Sequence, residues 1–449
     1  MRCYILNKFF KLDENKSDFK TEILAGITTF LAMSYILGVN PEMLSETGMS
    51  LEGVFIATAI SSGIACIIMG LLANYPIGLA SGMGLNALFT YTIVLGMGLS
   101  WKAALAAVFL SSILFLIITL VGLREAILNA IPHDLKLAIG AGIGFYLAFL
   151  GLANAGIVVA SPSTLVTLGN FASPHVLLAL IGIVITLVLY VRKVPAAVFF
   201  GLLITAVLGV IFTFAGFTSP DVVMPALPKT WISFNLDFSV FGGFMSGFGE
   251  LFKNIPSLIM ILFSLLFVTF FDTTGTLIPL AKECGYVKDD GTTEGINNAF
   301  ISDAIGGIVG AIFGSSTVTA YVESATGIGL GGRTGITAIV TGVLFILSVF
   351  FAPVVLSLFT SSVTAAALVT VGILMFIQIR DIEWENIAIV ASVFMTIIMM
   401  ILSYSISLGI AIGFITYTIA TIASGKYNEL NPLVWVLFVV FLIYLFFGL

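Results

Sequence analysis

FGSSTVTAYVESATGIGLGG, residues 313–332, decides how the chain must fold. Long apolar runs flank it on both sides, which places it at membrane depth. Yet it is rich in Gly, Ser and Thr and carries a carboxylate, Glu323, at its centre. Hydroxyl, β-branched and aromatic residues alternate over residues 315–322, which favours a short extended segment; the small residues from Glu323 onward allow a half-helix. Irregular backbone and a charge survive in a bilayer only when buried in protein or lining a cavity. The stretch is therefore expected to form the floor of a binding site.

The rest of the chain sets that stretch in a membrane. Of 449 residues, 59% are hydrophobic and 9% charged, where a soluble domain carries about 25% charged residues. Apolar runs of about 20 residues recur along the whole length, the length needed to cross a bilayer as a helix. The fold class expected is an all-α polytopic membrane protein, with the lipid bilayer as a partner and no nucleic acid. Cys3, Cys66 and Cys284 are too far apart for a disulfide framework, and no metal-ligand spacing appears, so neither a metal nor a cofactor is expected. His133 and His175 flank prolines at segment ends, which suits a structural role.

Fourteen spans are expected. The third (83–95) and tenth (323–330) are too short to cross as helices, so each continues through an extended segment. With the N-terminus inside, all Lys and Arg except Lys102, Lys229 and Lys253 fall on the cytoplasmic side, as the positive-inside rule requires. The chain then divides into a cytoplasmic N-terminal segment (1–20), a first seven-span repeat (21–216), an extracellular loop (217–255), a second repeat (256–423) and a C-terminal apolar segment (424–449). The N-terminal segment is basic and amphipathic, with no signal-cleavage pattern, and reads as a cytoplasmic lead-in along the membrane surface. The loop carries Phe241, Phe244, Phe248 and Phe252 at helical spacing, the mark of an amphipathic helix. Residues 433–449 read either as a further span or as a helix packed along the bundle.

A second break, YPIGLASGMGLN (75–86), holds the third place in its half as residues 313–332 do in theirs. An odd number of spans per repeat inverts the second half. Paired interruptions of this kind point to a transporter site near the midplane.

The intramembrane acids read from the sequence are Asp272, Asp303 and Glu323; all other carboxylates fall in loops or at span ends. Asp272 and Thr276 share one helix face, with Phe270 and Phe271 beside them. Glu323 falls where the extended segment ends, either as a cavity residue, as a helix cap or as a partner of Arg333. Asp303, in NNAFISDAIGG, is read as part of a polar network or as a proton-relay partner. Asn86 offers donors and an acceptor, either to a heterocycle edge or as a local cap. A cavity with carboxylates, an amide, hydroxyls and aromatics but no Lys or Arg disfavours an anion. It suits a planar molecule rich in N–H donors, such as a purine.

These residues resemble the nucleobase–cation symporter-2 family, and within it the AzgA-like branch of adenine/guanine/hypoxanthine permeases. The likeness rests on GITTFLAMSYILGVNP (26–41), GMGLNALF (82–89), FDTTGTL (271–277), NNAFISDAIGGIVGA (297–311) and STVTAYVESATGIGLGGRTG (316–335). It implies two inverted repeats of seven spans. Spans 1–4 and 8–11 would form a core domain, spans 5–7 and 12–14 a gate domain, and antiparallel strands before the third and tenth half-helices would cross at the core centre. It implies substrate contacts at Asn86, Asp272 and Glu323. The candidate binding set is thus Asn86, Phe271, Asp272, Thr276, Val322, Glu323 and Ser324, and the candidate proton-coupling set Glu323, Asp272 and Asp303. Related uracil permeases carry a histidine where this chain has Thr276, which leaves Asp272 or Glu323 to hold the proton.

The function expected is secondary active import of purine nucleobases (hypoxanthine/guanine or adenine) across the plasma membrane. Proton symport and alternating access would drive it, with a homodimer through the gate domains among the expected assemblies. An anion transporter on the same architecture is the alternative; it would want a basic residue or bare helix N-termini at the site. No protease motif marks an intramembrane enzyme, and no ring of charges marks a channel.

Overall fold

The computed structural model describes residues 7–123, 132–219, 222–287 and 293–447. Arg2, Cys3, Arg124 and Lys288 lie outside them. Among the described residues, eleven helices are long and apolar enough to cross a membrane, from Phe19–Ser45 to Ile406–Ala423. Three shorter apolar helices, Met83–Gly96, Ile387–Leu402 and Pro432–Phe446, accompany them. Polar side chains start many of these helices. Asp18 accepts from the N–H groups of Lys20 and Thr21, and the Ser50, Ser100 and Ser405 hydroxyls take N–H groups in the first turns of theirs. Such caps satisfy donors that water cannot reach once the helix enters lipid.

The helices pack in two sets. In one, Leu51–Ile68 lies between Gly335–Ser348 and Ile296–Phe313, and Trp101–Val121 covers the outer flank. Backbones touch where side chains are absent: a Cβ on Gly342 would sit 2.5 Å from the Gly63 carbonyl oxygen. In the other set, His133–Asn154 packs on Ser361–Phe376, and Ile387–Leu402 on Ile406–Ala423. With no hydrophobic drive between helices in lipid, such small-residue seams supply the packing.

Two short sheets interrupt the helices. β1 (Leu79–Ser81) pairs with β4 (Val318–Ala320), deep inside the first set. β2 (Val158–Ser161) and β3 (Leu165–Leu168) form a hairpin with an exposed β3, a feature no sequence signal foretold.

Several expectations need correction. The tenth stretch forms only a five-residue α-helix, Ala325–Gly329, after one 3₁₀ turn, Val322–Ser324. The chain beyond residue 6 does not lie freely along the membrane surface. Phe10 and Leu12 are buried against Ile336, and Asn74 donates to the Phe10 carbonyl at 3.0 Å. The loop helix is Phe244–Leu251, and it docks on protein: Phe244 stacks on Phe109 with ring centroids 4.5 Å apart. The C-terminal helix sets Phe441 against Phe263, Phe267 and Phe414, contacts that either reading of residues 433–449 allows. Two of the span-end carboxylates are bonded into the protein. Glu22 is fully buried, accepting from the N–H groups of Arg333 and Thr334 and from the Thr337 hydroxyl at 2.9, 3.2 and 2.6 Å. Glu42 lies within helix Ile36–Ser45 and accepts from Thr364 at 2.7 Å, a bond that joins the two helix sets.

Candidate functional site

The site is built on the crossing of β1 and β4. Helix Ile296–Phe313 ends at Gly314, whose φ of 92° only glycine adopts readily, and the chain turns back into β4. Leu79 faces Ala320, Ala80 faces Thr319 and Ser81 faces Val318. Backbone bonds extend the pairing at both ends, Gly82 N–H to Thr317 at 2.9 Å and Tyr321 N–H to Gly78 at 3.0 Å. The Ser324 hydroxyl accepts the Gly78 N–H at 3.0 Å, so the second break closes on the first. All six strand residues are buried, which a polar backbone tolerates only because each strand satisfies the other.

Glu323 sits half-buried just past β4. Its Oε1 accepts the Tyr35 hydroxyl at 2.6 Å. Arg333 is not its partner: the guanidinium Nη1 donates to the carbonyls of Ile328 and Gly332, at 2.6 and 2.7 Å, and so closes the C-terminal end of the short helix. The described salt bridges lie elsewhere, at Lys11 and Arg380. Among the described residues, the carboxylate thus meets a phenol and no cation.

Asp272 comes from helix Ile255–Glu283, which packs against β4 and the Val322–Ser324 turn. It is half-buried and lies within electrostatic reach of Asp303 and Glu323. Among the described residues no donor meets its carboxylate. Its neighbour Thr273 donates to Asp303 at 2.7 Å, and Asp303 also accepts from the Thr319 hydroxyl at 3.1 Å and the Ala320 N–H at 2.7 Å. Asp303 therefore ties the Asp272 helix to β4. The polar-network reading fits this geometry, with Asp303 fully enclosed by protein.

The other candidates divide. Val322 is 37% exposed and Thr276 half-buried, next to the open side of the Asp272 helix. Ser324 is buried and spent on Gly78. Phe271 is buried in a ladder with Phe267, centroids 4.8 Å apart, and Phe270 packs on Phe115 instead. Asn86 is wholly buried, and among the described residues neither its Nδ2 nor its Oδ1 has a partner. Leaving a buried amide unsatisfied costs about 1–3 kcal/mol, and this one makes no bond among the described residues. The sequence reading missed Tyr35 and Asn40. Asn40 donates to Thr58, Ser81 and Ser315 at 2.7, 3.2 and 3.2 Å. Their signal lay in the motif at residues 26–41, where Tyr35 and Asn40 stand with Thr28, Thr29 and Ser34 in an otherwise apolar span.

Comparison with known proteins fits this geometry. A model described as "Permease family" matches residues 20–414. The guanine/hypoxanthine permease PbuG of Bacillus subtilis is 44% identical, covering 98% of this chain and all of its own length. The adenine permease AdeQ of Escherichia coli is 36% identical over 96% of this chain and 94% of its own. Among solved structures, the transmembrane domain of the cyanobacterial bicarbonate transporter BicA aligns with a TM-score of 0.63, over 86% of this chain and 96% of that one, at 15% identity. Murine Slc26a9, an anion transporter, aligns at 0.62 over 91% of this chain and 69% of that one, at 10% identity. At such identities the likeness is one of fold, the inverted-repeat architecture of core and gate. The sequence relatives span the chain nearly end to end, so the chain belongs to the permease family, in the AzgA-like branch of the nucleobase–cation symporter-2 group.

Proposed function

We propose that the chain is a secondary transporter that carries purine nucleobases by alternating access. One observation carries the reading beyond the relatives' names. Two carboxylates, Asp272 and Glu323, flank the strand crossing, and among the described residues no cation is paired to either. Such a site suits a neutral planar ligand that donates N–H groups, since an anion would meet only repulsion there. The fold likeness to bicarbonate and anion transporters does not transfer their cargo.

The finer assignment follows the same chemistry. Asp272 and Glu323 hydrogen-bond the purine, Asn86 meets its edge when the core moves, and a proton on one carboxylate balances the charge on the way in. Thr276 and Val322 face the ligand, Ser324 and Phe271 back them from buried positions, and Asp303 holds the Asp272 helix in register. Fourteen segments in two inverted repeats, 21–216 and 256–423, form core and gate, with the core moving against the gate. The Lys/Arg bias supports an N-terminus in the cytoplasm and residues 217–255 outside. Pairing of gate domains would give a homodimer.

Radiolabelled hypoxanthine, guanine and adenine uptake into proteoliposomes tests this. An imposed inward proton gradient should raise accumulation of at least one base. Uptake blocked by bicarbonate or sulfate but not by any purine overturns the reading.

A further inference from the structure

The motif at residues 26–41 brings Tyr35 and Asn40 to the site, and its geometry is specific. The first span is two helices, Phe19–Met33 and Ile36–Ser45, joined at Ser34 and Tyr35. The joint is tight. The Ser34 hydroxyl donates to the Leu31 carbonyl at 2.9 Å, and the Tyr35 carbonyl accepts from both Gly38 and Val39 N–H at 3.0 Å. Pro41, one turn on, brings no N–H to the Leu37 carbonyl, so the helix is already loosened there. Tyr35 is fully buried, its ring 6.4 Å from that of Tyr321. Its hydroxyl reaches Glu323, while Asn40, five residues on, grips Ser81 of β1 and Ser315 ahead of β4.

We infer that Tyr35 is a positioning residue for transport, holding the Glu323 carboxylate in the orientation that receives the substrate. The 2.6 Å separation is that of a short hydroxyl-to-carboxyl hydrogen bond. A phenol has one proton to give, and Tyr35 gives it to Oε1, so it acts through Glu323 rather than on the ligand. The nearby Tyr321 cannot take over, because its hydroxyl donates to the Ser81 carbonyl. With Oε1 tethered, the second oxygen of Glu323 is the one left to meet an N–H donor from the cavity. Among the described residues no cation stands ready to restrain the side chain if Tyr35 is removed. The inference rests on the purine-transport reading above.

The test is hypoxanthine uptake by purified protein, reconstituted at equal amounts. Tyr35→Phe keeps the ring and removes the tether; it should raise KM by about 10- to 100-fold, with Vmax much less affected. Glu323→Asp keeps the charge but withdraws it from Tyr35, and should raise KM to a similar degree. Tyr146→Phe loses a buried phenol–carbonyl bond to Tyr404 in the other helix set, 3.2 Å long, and should leave KM near wild type. An unchanged KM in either Tyr35→Phe or Glu323→Asp overturns the inference, as does an equal rise in Tyr146→Phe. If the wild-type protein takes up no purine at all, the proposed function falls instead.

Discussion

In the break at residues 75–86, Asn86 keeps both amide atoms buried without a partner among the described residues; in the break at 313–332, Glu323 is held by Tyr35. Each residue follows a strand of the same crossed pair. Yet one break leaves its polar group unsatisfied and the other binds its charge into the protein. The scaffold treats the two differently as well. Asp303 braces β4 against the Asp272 helix through three hydrogen bonds, while β1 is pinned by the Cys66 thiol, which donates to the Leu79 carbonyl and accepts its N–H at 3.2 and 3.1 Å. Paired strands thus lead to side chains that are bonded in different ways. The acidic residue is bonded into the protein, and the amide makes no bond among the described residues.

Removing the brace on the second break should have the largest effect. Asp303→Ala strands Thr273, Thr319 and the Ala320 N–H inside the protein, and should destabilise the fold by about 3 kcal/mol. Thermal unfolding in detergent should show a clear fall, and uptake should be lost. The first break should respond in the opposite sense. Asn86→Leu removes an amide that bonds nothing among the described residues, so the melting temperature should hold or rise. Purine uptake should nonetheless drop about 10- to 100-fold. A drop in both quantities would mean that Asn86 supports the fold and the comparison fails.

A smaller effect is expected where the two breaks touch. A methyl group on Gly82 would lie 2.7 Å from Thr319 Cγ2 and 3.5 Å from Asp272 Oδ2. Gly82→Ala should push the strands apart slightly and raise KM by about threefold to tenfold. The smallest effect lies at the loop that covers this helix set. The Ser50 hydroxyl donates to Asp237, and the Ser100 hydroxyl and N–H donate to Glu250, which holds both carboxyls below their usual range. Depressed values stabilise the docked loop at pH above the ordinary carboxylate values, and that contribution is lost as pH falls through them. The loop should stay resistant to proteolysis from neutral pH to about pH 5 and loosen below about pH 4. Because both groups are largely solvated, the change should be modest. Asp237→Asn with Glu250→Gln should remove the pH dependence without altering uptake.

The two breaks were legible because a polar, small-residue stretch at membrane depth survives only where protein encloses it or a cavity opens beside it; that their strands cross was implied by the family resemblance. Glu323 and Asp272 stood out because an acid in an apolar span demands a reason. Tyr35 did not, since a tyrosine in an apolar run looks like packing until its hydroxyl is seen to meet a residue 288 positions away. Glu22 and Glu42 were hidden for the same reason. Their position near a span end suggested solvent, and only the packing of helix Gly335–Ser348 and of Thr364 shows what encloses them. Periodicity reports which face is apolar; it carries no information about which distant donor will arrive there.

If Glu323 binds the purine, its loss abolishes concentrative uptake, whichever of Glu323 and Asp272 carries the proton. Concentrative hypoxanthine uptake under an imposed proton gradient, in proteoliposomes holding equal amounts of wild-type and Glu323→Gln protein, tests it most directly. Gradient-driven accumulation is expected of the wild type and none of the variant, with both proteins folded and present in the membrane. Accumulation by Glu323→Gln at the wild-type level would contradict it.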